Sequence, residues 1–349
     1  MRLHAVWLAL LSAALFGAAT PASKWLLDGF TPFQLAGFLY LGAAIAVAPA
    51  ALCGDGLGLP DRQDRANRFR LLGAVVFGGL LGPVALLFGL RLAEATSVSL
   101  WLNLELAATA VLGAVLFRDH LGLCGWLGVT LALGAAALVS WPQGVAGIAA
   151  GGLVLIACIC WGLDNHLTAL IDGITPSQST FWKGLFAGAV NLSIGMSLAP
   201  PPVDPKAIGV ALMVGGLCYG ASIVLYIRAA QGAGATRAQV LFSSAPFFGV
   251  ALSVVFLAEA ISAAHLFAAL LFVLAVVLLL LESHAHTHRH EALVHEHAHR
   301  HDDGHHDHTH PGLLASTRHT HSHEHNPMVH RHPHWPDIHH RHCHDVDDA

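Results

Sequence analysis

Between Ala5 and Leu281 the chain carries ten apolar stretches, each close to the roughly 20 residues of helix that cross a bilayer core of about 30 Å. They lie at about 5–23, 32–53, 71–91, 95–117, 121–141, 147–169, 177–199, 206–228, 237–258 and 262–282. These runs restrict the fold more than any other feature. In hydrocarbon every backbone N–H and C=O must be bonded internally, which only helices and closed barrels achieve, and the lengths fit helices. Turn chemistry separates them: Asp28-Gly29, Gly54-Asp55-Gly56, Trp141-Pro142-Gln143-Gly144, Asp172-Gly173 and Pro200-Pro201-Pro202. A chain that is 55% hydrophobic and 11% charged, with mean hydropathy +0.60, is a polytopic membrane protein, not a soluble domain.

The first span follows Arg2 and ends in small residues, as a cleaved leader does. An internal repeat makes it instead the first helix of a duplicated unit. Phe16-Gly17 followed by Thr31-Pro32-x-Gln34 returns as Trp161-Gly162 followed by Thr175-Pro176-x-Gln178. Gly78-Gly79-Leu80 and Arg91 return as Gly215-Gly216-Leu217 and Arg228; Ala95-Thr96 and Asp119 return as Ala235-Thr236 and Glu259. Five spans per copy is an odd number, so the second copy enters the membrane from the opposite side. The expected units are 1–141, 142–283 and a tail at 284–349.

With a cytoplasmic N-terminus, inside loops hold Arg2, Arg62, Arg65, Arg68, Arg70, Arg118, Arg228 and Arg237, and outside loops only Lys24, Arg91 and Lys206. Ten spans then put both termini in the cytoplasm, in what reads as a bacterial inner membrane. Residues 1–283 carry 12 basic against 12 acidic residues and 284–349 carry 5 against 10, so the whole net charge of -5 belongs to the tail. A nucleic-acid partner, which needs a basic surface, is excluded. Cys53, Cys124, Cys158, Cys160 and Cys218 lie in apolar stretches and read as small buried side chains, not a disulfide framework.

An Ala-rich small-residue helix, then Ala245-Pro246 in mid-span, then Glu259 at the next boundary, with Asp119 as its first-copy counterpart, resembles the EamA repeats of the drug/metabolite transporter superfamily. Phe16-Gly17 and Trp161-Gly162 look like that family's aromatic-Gly signature. The resemblance covers about residues 5–282. It implies an all-α membrane protein of ten transmembrane helices in two inverted five-helix repeats, a central cavity, and export of amino acids, other metabolites or xenobiotics. The sequence departs from the pattern at Leu106, which stands where Pro246 would fall and follows Glu105.

A carboxylate near the bilayer centre costs about 2.5–3.5 kcal/mol on insertion scales, so it faces a cavity or a partner. Glu105, with Asn103 two residues earlier, is the foremost substrate-binding or proton-coupling candidate. Asp164 and His166 diverge on one helix and cannot share an ion there; Lys183 at the start of the next span is a ready ion-pair partner for Asp164. Trp101, Trp161 and Trp182 are equally suited to lining a cavity and to anchoring at lipid. Glu94, Asp119 and Glu259, at span ends, are expected to be solvated. The pairs Gly78/Gly82, Gly184/Gly188 and Gly216/Gly220 fit close helix packing.

Of 27 histidines, 23 fall between His284 and His344, in a tail whose polarity and lack of helical periodicity predict disorder. Alternate spacing recurs in His284, His286, His288, His290; in His295, His297, His299, His301; and in His319, His321, His323, His325, with His305, His306, His308 and His310 between. Alternate residues of an extended chain share a side about 6.6–6.8 Å apart, so several imidazoles can wrap one ion. Neutral imidazole suits Zn, Ni, Co and Cu, and Asp302, Asp303, Asp307 and Glu324 add oxygen ligands.

Three functions are compatible with these features: a small-solute exporter whose tail binds metal, a Ni, Co or Zn exporter whose tail captures the cargo, or a membrane-bound metal store or sensor. No nucleophile–base constellation or phosphate loop points to an enzyme, and no cofactor is expected beyond reversible tail metal. The bilayer and a small-molecule or metal-ion substrate are the expected partners, with room for proton coupling and for a homodimer.

Overall fold

The computed structural model describes residues 3–53, 57–60, 64–116, 121–171, 174–233, 241–281, 284–290, 293–299, 319–325 and 328–334. In chain order the helices are α1 (Leu3–Gly17), α2 (Ala19–Leu26), α3 (Pro32–Leu52), α4 (Arg65–Gly73), α5 (Gly82–Leu92), α6 (Ala95–Trp101) and α7 (Leu104–Leu116). The second half holds α8 (Leu123–Ser140), α9 (Gly144–Ala169), α10 (Pro176–Leu198), α11 (Pro205–Val214), α12 (Ser222–Ala233), α13 (Ala245–Leu257) and α14 (Ala263–Leu281). Short π-helical segments, Ala74–Leu81 and Gly215–Ala221, join α4 to α5 and α11 to α12.

Among the described residues six stretches are long and apolar enough to cross a membrane: His4–Leu26, Pro32–Leu52, Arg65–Leu92, Ala95–Leu116, Leu123–Thr168 and Pro205–Ala229. Ala245–Leu257 and Ala263–Leu279 are shorter apolar helices. The separate stretches expected at 121–141 and 147–169 follow one another within Leu123–Thr168, parted by a 3-10 turn at Trp141–Gln143 and by Gly144 at φ 66. The Pro-Gln-Gly of the sequence supplies that corner, since a positive φ strains any residue with a Cβ.

The repeated Thr-Pro-x-Gln is a capping box in both copies. Thr31 Oγ1 accepts from Gln34 N at 3.2 Å while Gln34 Oε1 accepts from Thr31 N at 3.1 Å. Thr175 and Gln178 do the same at 3.2 and 2.8 Å, and Pro32 and Pro176 occupy the first turn, where no N–H partner is required. These matching helices, α3 and α10, pack on each other along their length: Gln34 meets Gly195, Gly37 meets Leu192, Leu41 meets Gly188, and Ala44 meets Gly184. One numbering rises as the other falls, so the two equivalent helices are antiparallel. A Cβ on Gly37 would stand 2.7 Å from Leu192 Cβ, so the axes approach this closely only because glycine is there.

The halves also exchange partners. α9 runs antiparallel to the rod of α4, the π segment and α5, through Leu167 with Gly73, Trp161 with Gly82 and Ala150 with Gly89. α1 meets α12 in the corresponding way, with Ala9 beside Ala229 and Ser12 Oγ donating to Ser222 O at 2.6 Å. Gly216 and Gly220 lie against Ala46 and Ala43 of α3, as packing glycines should. Large apolar side chains such as Val115, Val255, Phe256 and Leu270 are left on the outer surface, where hydrocarbon would meet them.

Two local departures from regular helix were not foreseen. The π segments sit at the repeated Gly-Gly-Leu sites, where widening the turn releases carbonyls for other partners. Expected span four breaks at Leu102–Asn103 between α6 and α7, although Leu106 is not proline, and the second copy breaks just before α13, which opens on Ala245-Pro246.

The described tail segments are extended strands, where the sequence predicts disorder. β1 (His284–His290) pairs antiparallel with β4 (Met328–His334), and β2 (Leu293–His299) with β3 (His319–His325). The alternate spacing of the histidines is itself a strand period, and the register sets histidine opposite histidine: His284 with His334, His286 with His332, His288 with His330, His295 with His323, His297 with His321, and His299 with His319. His301, His305, His306, His308, His310, Asp119 and the Ala235-Thr236 pair lie outside the described residues.

Candidate functional site

The break in span four places Glu105 in the first turn of α7, where free amides favour a negative charge. Glu105 is partly exposed although Leu104 and Ala107 beside it are buried. Its Oε1 accepts from Asn165 Nδ2 of α9 at 3.1 Å. The same amide lies 3.5 Å from Thr109 Oγ1, and His166 Nε2 lies 3.0 Å from the Thr109 carbonyl oxygen. Residues 105–109 of the first copy and 165–166 of the second therefore form one polar seam. It exists because Gly162 lets α9 close on α7: a Cβ there would meet Leu112 Cδ1 at 2.9 Å and Thr109 N at 3.2 Å.

On the next face of α9, Asp164 Oδ2 accepts from Lys183 Nζ of α10 at 2.6 Å and Asp164 Oδ1 from Thr168 Oγ1 at 2.8 Å. The pair is nearly dry, with side-chain exposures of 15% for Lys183 and 9% for Asp164, so it is an interior pair held by several bonds and not a surface bridge. The Asp164 carboxylate fills the space a side chain on Gly78 would occupy. Gly78 and Gly82 thus differ from the other glycine pairs: Gly78 makes room for Asp164, and Gly82 for the Trp161 indole. The π turn makes Gly78 O an acceptor for Tyr40 Oη at 2.5 Å and Trp161 Nε1 at 3.2 Å, while Gly79 O accepts from Asn191 Nδ2 at 3.1 Å. Tyr40 continues through Tyr219, 5.8 Å away ring to ring, to Phe16 at 5.9 Å, an aromatic row that crosses from one copy to the other.

Of the residues singled out in the sequence, Glu105, Asp164, His166, Lys183 and Trp161 come together here. Asn103 does not: it is buried in the helix break and its Nδ2 donates to Leu100 O at 2.9 Å. Trp101 is fully buried, with Nε1 donating to Ala136 O of α8 at 3.2 Å, so it is core and neither cavity lining nor lipid anchor. Trp182 donates to Gly58 O at 2.9 Å and stacks on Phe186. Tyr40, Thr109 and Asn191 were missed; an isolated tyrosine or asparagine inside an apolar run was the available signal. Among the described residues no group of three or more His, Cys, Asp or Glu could hold a metal ion.

Glu259 is not the solvated boundary residue its position suggests. Its carboxylate accepts from Ala95 N at 2.8 Å, Thr96 N at 2.7 Å and Thr96 Oγ1 at 2.6 Å, capping α6 from the other copy. Ala258, at φ 54, turns the chain out of α13 just before it. Next to this cap, Ser97 Oγ is 2.9 Å from His265 Nε2 and accepts from Gln143 Nε2 at 2.8 Å, while Ser262 Oγ is 2.7 Å from His265 Nδ1. Lys24 Nζ donates to Leu90 O at 2.7 Å and Ala93 O at 2.8 Å, the open end of α5.

A family model described as the EamA-like transporter family matches residues 3–141 and 149–281. An uncharacterized transporter of Methanothermobacter thermautotrophicus is 26% identical over 273 residues, covering 71% of this chain and 77% of the relative. A solved structure described only as the crystal structure of a protein shares the fold with TM-score 0.56 at 18% identity, over 80% of this chain and 98% of that one.

Proposed function

The chain belongs to the EamA-like transporter family, a family of membrane transporters of small solutes, and from that premise we propose that it exports a small solute or metabolite through a site between its two repeats. The carrying observation is the seam in which Glu105 and Thr109 of one copy meet Asn165 and His166 of the other. A binding group shared between two halves changes its environment whenever the halves rock, which alternating access requires. Ten spans in inverted orientation fit the antiparallel packing of α3 on α10. In this reading both termini are cytoplasmic and Glu105 binds the solute or a coupled proton.

The tail binds Zn, Ni, Co or Cu reversibly at the cytoplasmic mouth; the histidine-opposite-histidine register supports this. Export of Ni, Co or Zn is the second reading, favoured by that tail and disfavoured by the absence of a metal-ligand group among the described residues of the helical part. Everted membrane vesicles carrying the full chain, the Glu105→Gln variant or a chain ending at Leu281 decide between them. Solute flux that needs Glu105 and survives tail removal is expected. Metal flux without solute flux establishes the second reading instead, and no flux of either leaves the tail as a membrane-bound store.

A further inference from the structure

We infer that the solute taken at Glu105 is a monovalent organic cation, an amine protonated at neutral pH. The inference rests on the transporter reading above and adds to it the charge of the cargo. Besides His166, whose Nε2 lies at the Thr109 carbonyl oxygen, the acidic and basic groups among the described residues of this interior are Glu105, Asp164 and Lys183. Asp164 and Lys183 cancel each other at 2.6 Å, and Asp164 Oδ1 is further bonded by Thr168. Glu105 has no ion-pair partner among the described residues. Its one bonded neighbour is the neutral Asn165 amide on Oε1, and Oε2 is bonded by nothing described. The site therefore carries one negative charge with no ion-pair partner among the described residues, partly exposed although Leu104 and Ala107 are buried.

A single carboxylate in a low-dielectric interior attracts one positive charge and rejects an anion. A desolvated divalent ion would ask for four or more ligands, whereas the site offers one carboxylate, an amide, a hydroxyl and the single imidazole of His166, and among the described residues no group of three or more His, Cys, Asp or Glu could hold a metal ion. An ammonium asks for less: one carboxylate oxygen and a neutral acceptor such as Thr109 Oγ1.

The test is binding to the purified full-length protein, using 2-phenylethylamine, its neutral isostere 2-phenylethanol, and the zwitterion phenylalanine. The amine is expected to bind at least tenfold more tightly than the other two. Glu105→Gln should remove that preference, and Glu105→Asp should keep it. Excess Ni2+ should load the tail without displacing the amine. Equal binding of amine and alcohol, tight binding of phenylalanine, displacement by Ni2+, an unchanged preference in Glu105→Gln, or no amine binding at all each overturns the inference. If Glu105→Gln does not fold, the amine-to-alcohol contrast in the native chain decides. The transporter reading fails separately, by absence of flux in the vesicle assay.

Discussion

Asp164 Oδ2 and Lys183 Nζ stand 2.6 Å apart across α9 and α10, and Gly78 is the residue that leaves room for the carboxylate. Removing either charge strands the other in an interior where both side chains are largely shielded from solvent. Asp164→Asn and Lys183→Met should each cost about 3–5 kcal/mol, whereas the double variant should recover much of that loss. Thermal unfolding of the four proteins in detergent gives the coupling directly; additive losses would show that the pair does not act as a unit.

Gly78→Val drives a side chain into Asp164, while a methyl group on Gly152 would meet nothing within 4 Å. The expectation is a loss of stability of roughly 1–3 kcal/mol for Gly78→Val, with loss of flux. Gly152→Ala should leave melting temperature and flux unchanged.

Glu259 bonds two amides and a hydroxyl at the start of α6 from a loop of the other copy. Glu259→Ala should destabilise the protein by about 1–2 kcal/mol, as loss of a helix cap does. Glu259→Gln should keep part of the cap and lie between the two. Amide exchange at Ala95 and Thr96 should quicken in both; unchanged exchange would remove the capping role.

Asp64 caps α4, accepting from Asn67 N at 3.0 Å and Asn67 Nδ2 at 2.6 Å. The Asn67 backbone N–H, foremost among the causes, holds its carboxyl below the usual carboxylate range. A group whose folded pKa is depressed contributes stability at pH above about 4 and loses it as pH falls through the lower folded value. Protection of the first turn of α4 should therefore fall on acidification below pH about 4. Asp64→Asn, whose cap does not titrate, should lose this dependence in hydrogen exchange followed against pH.

Metal loading of the tail should depend on pH in a higher range. Imidazole binds metal only when neutral and titrates near pH 6.5, so Ni2+ or Zn2+ bound at pH about 7.5 should be largely released by pH about 5.5. Calorimetry on the full chain and on a chain ending at Leu281 separates tail sites from others. Equal binding by the two would place the metal elsewhere.

The membrane class, the duplication and the histidine period could all be read from the order of residues alone, because each is carried by local composition or by spacing along the chain. The run of apolar residues dictates helix in hydrocarbon wherever it occurs. The repeated Thr-Pro-x-Gln was legible as a repeat, and its capping geometry was open to reading from residue types. The tail strands were not read in this way: the sequence predicts disorder there, and although alternate histidines share the period of a strand, which strands pair follows only from the structure. Which polar residue meets which, by contrast, was fixed only when the helices packed. Asn103 and Glu105 are near neighbours in sequence, yet one is sealed in a helix break and the other faces α9. Asp164 and His166 share a helix and serve different partners. Glu259 reads as a solvated boundary until α6 of the other copy is brought to it. The reason is physical: an α-helix satisfies its own backbone from local sequence, but a buried carboxylate must find its donors on another helix, and the closeness of that helix is set by glycines far away along the chain.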